Sequence, residues 1–306
     1  MFAAPPVIKT EVFARLPDSL RIKNGDPNNT SLQRLGLHRD SFLEGPSFDK
    51  AGNLYVVDIA FGRIFKVSPD GTFSVAAEYD GEPNGLKIHK DGRIFIADYK
   101  NGIMVMDPDS GKVERFGNRP RLEGYRGVND LVFASDGDIY FTDQGQSSHQ
   151  DYSGRVIRLK SDGEMELMLT GIPSPNGLVF NLDESALFVA VTRDNSVWRS
   201  PRHTPGGFPP QTGIFVYLNG GIGPDGMALD EEGSLAVCHP GMGAVWVFNA
   251  RGEPIHRVDT CTGLITTNIA YGGPDNKSLF ITESETGTIL RAELPIAGQK
   301  MYSHMD

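Results

Sequence analysis

Cysteine is almost absent: Cys238 and Cys261 are the only two in 306 residues, too few and too isolated for a disulfide framework or a thiolate zinc site. That scarcity points to a reducing, cytoplasmic setting. Basic charge is also short, with 29 Lys and Arg against 39 Asp and Glu and a formal net charge of -10. No Lys/Arg run occurs, which argues against a nucleic-acid partner, because tracking phosphates needs a concentrated basic surface. The acidity itself reads as solubility. No apolar stretch nears the ~18 residues of a membrane span. The opening MFAAPPVIKTEVFARL lacks the basic-then-apolar order of a secretory signal. Two further absences narrow the class: there is no convincing amphipathic helix, and no GxSxG elbow that would mark a Ser-His-Asp hydrolase.

What is abundant is turn material, 36 Gly and 20 Pro, and it is spaced regularly. One pattern recurs: a polar head residue, a short apolar run, a Gly-containing turn and a second apolar run. The copies are EGPSFDKAGNLYVVD, NGLKIHKDGRIFIAD, NDLVFASDGDIYFTD, NGLVFNLDESALFVAV, DGMALDEEGSLAVCH and TNIAYGGPDNKSLFIT. Their heads are Glu44, Asn84, Asn129, Asn176, Asp225 and Thr267, spaced 40, 45, 47, 49 and 42 residues apart. Self-similarity at this period, in short strands without helices, predicts an all-β six-bladed β-propeller of four-stranded antiparallel blades, one domain over 1–306.

In chain order, residues 7–16 alternate as a strand with no local partner, and are expected to close the ring by pairing with 288–294. Residues 18–42 read as loop with a helical turn at 31–35, placed near the channel mouth because Glu44 follows directly. Two insertions, 144–153 and 202–213, read as exposed loops, the first a candidate pocket wall because it follows Asp143.

In a propeller the innermost strands line a common channel, so the six heads converge. All six carry an oxygen donor and none is basic. Any one alone suits a turn former. Three Asn and two acids in one register point further, since two facing carboxylates in a partly dry channel repel unless a cation lies between them. Oxygen donors without Cys select a hard ion, Ca²⁺ first, then Mg²⁺ or Mn²⁺, with Zn²⁺ admitted.

The segments EGP at 44–46, PNG at 175–177 and PDGM at 224–227 resemble the senescence marker protein/gluconolactonase (regucalcin-like) family, with the likeness running over 44–294. The resemblance implies a catalytic divalent ion in the channel. Its ligands would be Glu44, Asn176 and Asp225, joined by Asn129 as in some branches, with Asn84 at a substrate-contacting position. One departure stands out: sugar-lactone members carry an Arg two residues before the second-blade Asn, and here that residue is Glu82. Gluconolactone itself is therefore disfavoured as the substrate.

The expected activity is metal-dependent opening of a small-molecule lactone, with Asp225 as ligand and general base. The rivals are phosphotriester or fluorophosphate hydrolysis at the same site, and a calcium-binding propeller without turnover. Candidate substrate contacts, besides Asn84, are Thr267, Asp143, His239, His38 and His149. His239 follows its head by fourteen residues, as Asp58, Asp98 and Asp143 follow theirs, which suggests a place near the rim.

Overall fold

The computed structural model describes residues 4–23, 25, 39–117, 124–202 and 211–305. Frequent Asp-Gly and Asn-Gly turns leave no room for a long helix, and among the described residues the helical pieces are single 3₁₀ turns such as Ile59–Phe61. The strands form six sheets. Blade one is Leu43–Phe48, Leu54–Asp58, Arg63–Val67 and Phe73–Glu78, antiparallel and in chain order from axis to rim. Blades two to six start at the axis with Pro83–Ile88, Val128–Phe133, Pro175–Phe180, Met227–Leu229 and Thr266–Gly272. Each innermost strand touches the next, and the sixth touches the first. This is the predicted six-bladed propeller.

Closure comes from the N-terminal residues, in a form the alternation did not reveal. Residues 7–16 make two strands. Glu11–Arg15 pairs antiparallel with Thr288–Glu293 as the outermost strand of blade six, while Val7–Lys9 runs parallel to Pro254–Asp259 on blade five. Thr10 makes the break. Its N–H donates to the Asp259 carbonyl at 3.1 Å, and its Oγ1 accepts from the Cys261 N–H at 2.8 Å. Ala14 and Leu16 are then buried between blades six and one, with Phe48, Phe65 and Phe280.

The last residue of the second strand does the same job in four blades. Asp58 accepts from the Phe42 N–H at 2.8 Å, Asp98 from Glu82 at 2.9 Å, Asp143 from Gly127 at 2.8 Å and Glu283 from Ile265 at 3.2 Å. In every case the donor lies two residues before the head. These acids therefore pin the approach to the channel, and each satisfies a buried or half-buried N–H that the sheet leaves over. Asp58 and Asp143 are further neutralised by buried Arg63 and Arg155.

The opposite end of the channel is crossed by residues 297–305. The Gln299 N–H bonds Leu229 O at 2.8 Å, the Glu231 N–H bonds Ala297 O at 2.9 Å, and Ser303 Oγ donates to Phe48 O at 3.1 Å. Tyr302 stacks on Phe133 at 4.7 Å. An apolar cavity of about 120 Å³ lies beneath this crossing, lined by residues such as Phe133, Leu178 and Met227.

Removing residues 1–16 is expected to lower the melting temperature and promote self-association. Losing buried Leu16 alone costs about 2 kcal/mol, and Thr288–Glu293 becomes a bare edge. Thermal unfolding with size-exclusion chromatography measures both, and an unchanged, monomeric melt would refute the closing role.

Candidate active site

A bulge places the head residues. Strand pairing shifts register between Glu44 and Ser47, Pro83 and Gly85, Val128 and Leu131, Pro175 and Leu178, and Thr266 and Ile269, at or beside the head each time. Such an irregularity re-aims a side chain out of the sheet. In blade five the strand starts only at Met227, so Asp225 precedes it, its N–H held by Cys238 O at 3.1 Å. All six heads line one cavity of about 500 Å³.

Glu44 is buried there and Asp225 is half-buried. Burial pushes the Glu44 carboxyl well above its usual range, and the nearby Asp225 and Asp130 push it further. Asp225 is raised in the same way by burial and then by Asp130, with a hydrogen bond from Asn176 opposing. No ion pair to Lys or Arg is found for Glu44, Asp130 or Asp225 among the described residues, in contrast to Asp58 and Asp143.

The amides are oriented sideways. Asn129 Nδ2 donates to Gln144 Oε1 at 3.2 Å, and Asn176 Nδ2 to Thr192 Oγ1 at 3.2 Å, with Thr192 Oγ1 in turn donating to Pro224 O at 2.8 Å. Both nitrogens are engaged, which leaves the oxygens for a ligand. Asn84 lines the cavity with no side-chain hydrogen bond to another described residue.

Asp130 and Asn268 were not among the expected site residues. Asn268 Nδ2 donates to Glu44 Oε2 at 2.9 Å and to Asp130 Oδ2 at 3.2 Å, tying blade six to blades one and three. A signal for them exists in the repeat. The residue after the head is glycine in four blades, Gly45, Gly85, Gly177 and Gly226, and only blades three and six depart. The glycines make room: a Cβ on Gly85 would fall 2.5 Å from Asp130 Oδ1, and one on Gly226 would fall 2.1 Å from the Asn268 amide.

Other expected contacts fall differently. Thr267 lines the cavity, but its hydroxyl is taken up by Leu43 O at 2.9 Å and Thr282 Oγ1 at 2.8 Å, a link between blades six and one. Asp143 does not line the cavity; it is one of the acids that pin the strand entrance, and it bonds Arg155 Nε at 2.8 Å. His239 does not line it either. Trp246 Nε1 donates to its Nδ1 at 3.2 Å, so its Nε2 carries the proton and donates to Gly220 O at 2.9 Å. Burial lowers its proton affinity and keeps it neutral. The reason is shared: fourteen residues after the head, the chain has reached the end of the second strand, one strand removed from the axis. His149 sits 2.9 Å from Tyr152 OH and 3.4 Å from Asp194, fastening its loop to blade four while Gln144 to Ser148 of the same loop wall the cavity. Glu82 is buried outside the lining. His38, the turn at 31–35 and most of the 202–213 insertion lie outside the described residues.

Several known proteins share this frame. The family model for the SMP-30/Gluconolactonase/LRE-like region matches residues 42–285. Lactonase drp35 of Staphylococcus epidermidis is 32% identical over 226 residues, 71% of this chain and 69% of that protein; a Staphylococcus aureus counterpart is 31% identical over the same shares. Among solved structures, the calcium-binding protein regucalcin of Agrobacterium tumefaciens superposes with TM-score 0.77 at 19% identity, over 99% of this chain and 100% of that one. A gluconolactonase of Xanthomonas campestris gives 0.74 at 21% identity, over 96% and 99%. The matched span runs through the innermost strands of all six blades, and the chain belongs to the SMP-30/gluconolactonase/LRE-like family.

Proposed function

We propose that this protein is a lactone hydrolase that works with one divalent cation held by Glu44, Asn129, Asn176 and Asp225. The observation that carries the reading is the pair of carboxylates, buried Glu44 and half-buried Asp225, at the floor of one cavity with no basic partner among the described residues. Buried Asp58 and Asp143 have an arginine, and buried Asp98 and Glu283 are held by backbone N–H groups, whereas Glu44 and Asp225 face the cavity and fit a hard cation instead. Among the described residues no three His, Cys, Asp or Glu side chains suffice for a metal by themselves, so the amide oxygens of Asn129 and Asn176 would complete the set. Ca²⁺ suits that set first, then Mg²⁺ or Mn²⁺, with Zn²⁺ admitted. The named lactonase relatives supply the reaction class.

When bound, the ion polarises the ring carbonyl as a Lewis acid. Asp225 accepts a proton as water oxygen attacks the carbonyl carbon, and returns it to the ring oxygen when the carbon–oxygen bond breaks. Asn176 orients Asp225 through its hydrogen bond, Asn268 steadies Glu44, and Asn84 offers its amide to the substrate. Free Cys238 and Cys261 suit a reducing, cytoplasmic setting.

A lactone panel assayed after chelation, and again with single ions restored, is expected to lose and regain activity, while a parallel organophosphate panel stays slow. Asp225→Asn is expected to lower kcat by about 10²-fold or more. Turnover by that variant at the wild-type rate in metal-replete buffer would overturn the assignment, and so would activity indifferent to the chelator.

Stability supplies a second test. The folded carboxyls of Glu44 and Asp225 hold protons more tightly than the unfolded ones, so the associated stability is complete below the ordinary carboxyl range and is lost as pH rises through the raised values. Chelated protein is therefore expected to melt lower at about pH 8 than at about pH 5.5, and Ca²⁺ is expected to raise the melt more at the higher pH. A calcium effect absent at both would count against the ion.

A further inference from the structure

Above its floor, the cavity changes sign. Among the described residues, Glu44 and Asp225 are the only acids in its lining, and the rim carries two guanidinium groups, Arg39 and Arg193. Arg39 reaches the mouth from the junction of blades six and one, where its Nη1 donates to Ser284 O at 2.9 Å and its guanidinium lies 5.7 Å from the Phe42 ring. Its Nε is buried without a partner among the described residues. Arg193 follows the second strand of blade four on the turn Thr192–Asp194, and its side chain is exposed. Blades one and four face each other across a six-fold ring, so the two cations flank the opening from opposite sides. Neither forms an ion pair with Glu44 or Asp225 among the described residues. The acid next in sequence to Arg193, Asp194, is occupied by His149 at 3.4 Å and by Ser196.

A protein with a net charge of -10 has no general need for paired cations at one opening. Guanidinium forks match carboxylates in geometry and charge. We infer that the substrate is an anionic lactone, a ring ester bearing a free carboxylate that Arg39 or Arg193 grips while the ring carbonyl sits over Glu44 and Asp225. The inference rests on the lactonase reading and narrows it to a substrate class. Neutral sugar lactones would leave both guanidinium groups unanswered.

The test uses a γ-lactone bearing a ring carboxylate and the matching carboxamide. Wild-type protein is expected to prefer the carboxylate by about ten- to hundredfold in kcat/KM, the range for a charged hydrogen bond. Most of the difference should appear in KM. In Arg193→Gln and Arg39→Gln the preference should shrink, with partial recovery in Arg193→Lys. Arg193 is exposed, so its variants test recognition without threatening the fold. Equal kcat/KM for the two lactones, or a preference that survives in both Gln variants, overturns the inference while leaving lactone hydrolysis standing. If neither lactone is opened, calorimetric binding of the ring-opened hydroxy diacid still decides it. Binding tighter than that of its monoamide, and weakened in Arg193→Gln, supports the anion site; equal binding overturns it.

Discussion

The inner strands approach the axis so closely that a single methyl group would collide: a β-carbon on Gly45 would lie 2.7 Å from the Leu86 nitrogen, and one on Gly177 would lie 2.5 Å from the Asp225 carbonyl oxygen. Glycine after the head is the way a chain tolerates such an approach. The four glycines leave space for two side chains in that layer, Asp130 and Asn268, and the bond between them crosses the channel. Above this layer the bulges turn the heads into the open cavity. Crowding at the axis thus sets where the heads stand, and side-chain bonds such as Asn268 to Glu44 and Asn129 to Gln144 fix their orientation.

Rigidity matters because the charges at the floor are in conflict. Burial raises the proton affinity of Glu44 and of Asp225; Asp225 and Asp130 raise that of Glu44 further, and Asp130 that of Asp225. The same chain handles Asp58 and Asp143 conventionally, with an arginine and backbone N–H groups around each. Two treatments of buried acids in one fold separate structure from function. Asp58, Asp98, Asp143 and Glu283 pin strands through backbone N–H groups, while Glu44 and Asp225 face the cavity.

The two ends of the channel divide labour in a similar way. Residues 297–305 cross one end and bond to blades one, five and six, with Tyr302 packed on blade three. Among the described residues the other end is open under a rim of polar loops, anchored by contacts such as His149 with Tyr152. The N-terminal strands close the ring at the outer edges of blades five and six. Stability and recognition are therefore built from different segments.

The repeat, the number of blades and the head residues were all legible in the linear chain, because strand alternation and Asp-Gly turns are local signals that recur at a readable period. The residue after each head carried a weaker signal of the same kind, glycine four times and something else twice, which marks Asp130 and Asn268. Other features were decided only when the ring closed. Asp143 and His239 share the fourteen-residue offset of Asp58 and Asp98, and none of the four lines the cavity; the side chains of Asp143 and His239 turn to backbone N–H groups and to Trp246 and Gly220, since direction depends on the neighbouring strand rather than on spacing. The split of residues 7–16 between two blades, and the meeting of Arg39 with Arg193 across one cavity, join residues far apart in sequence. Short-range patterns name the parts; which parts oppose each other around a closed ring is a property of the ring.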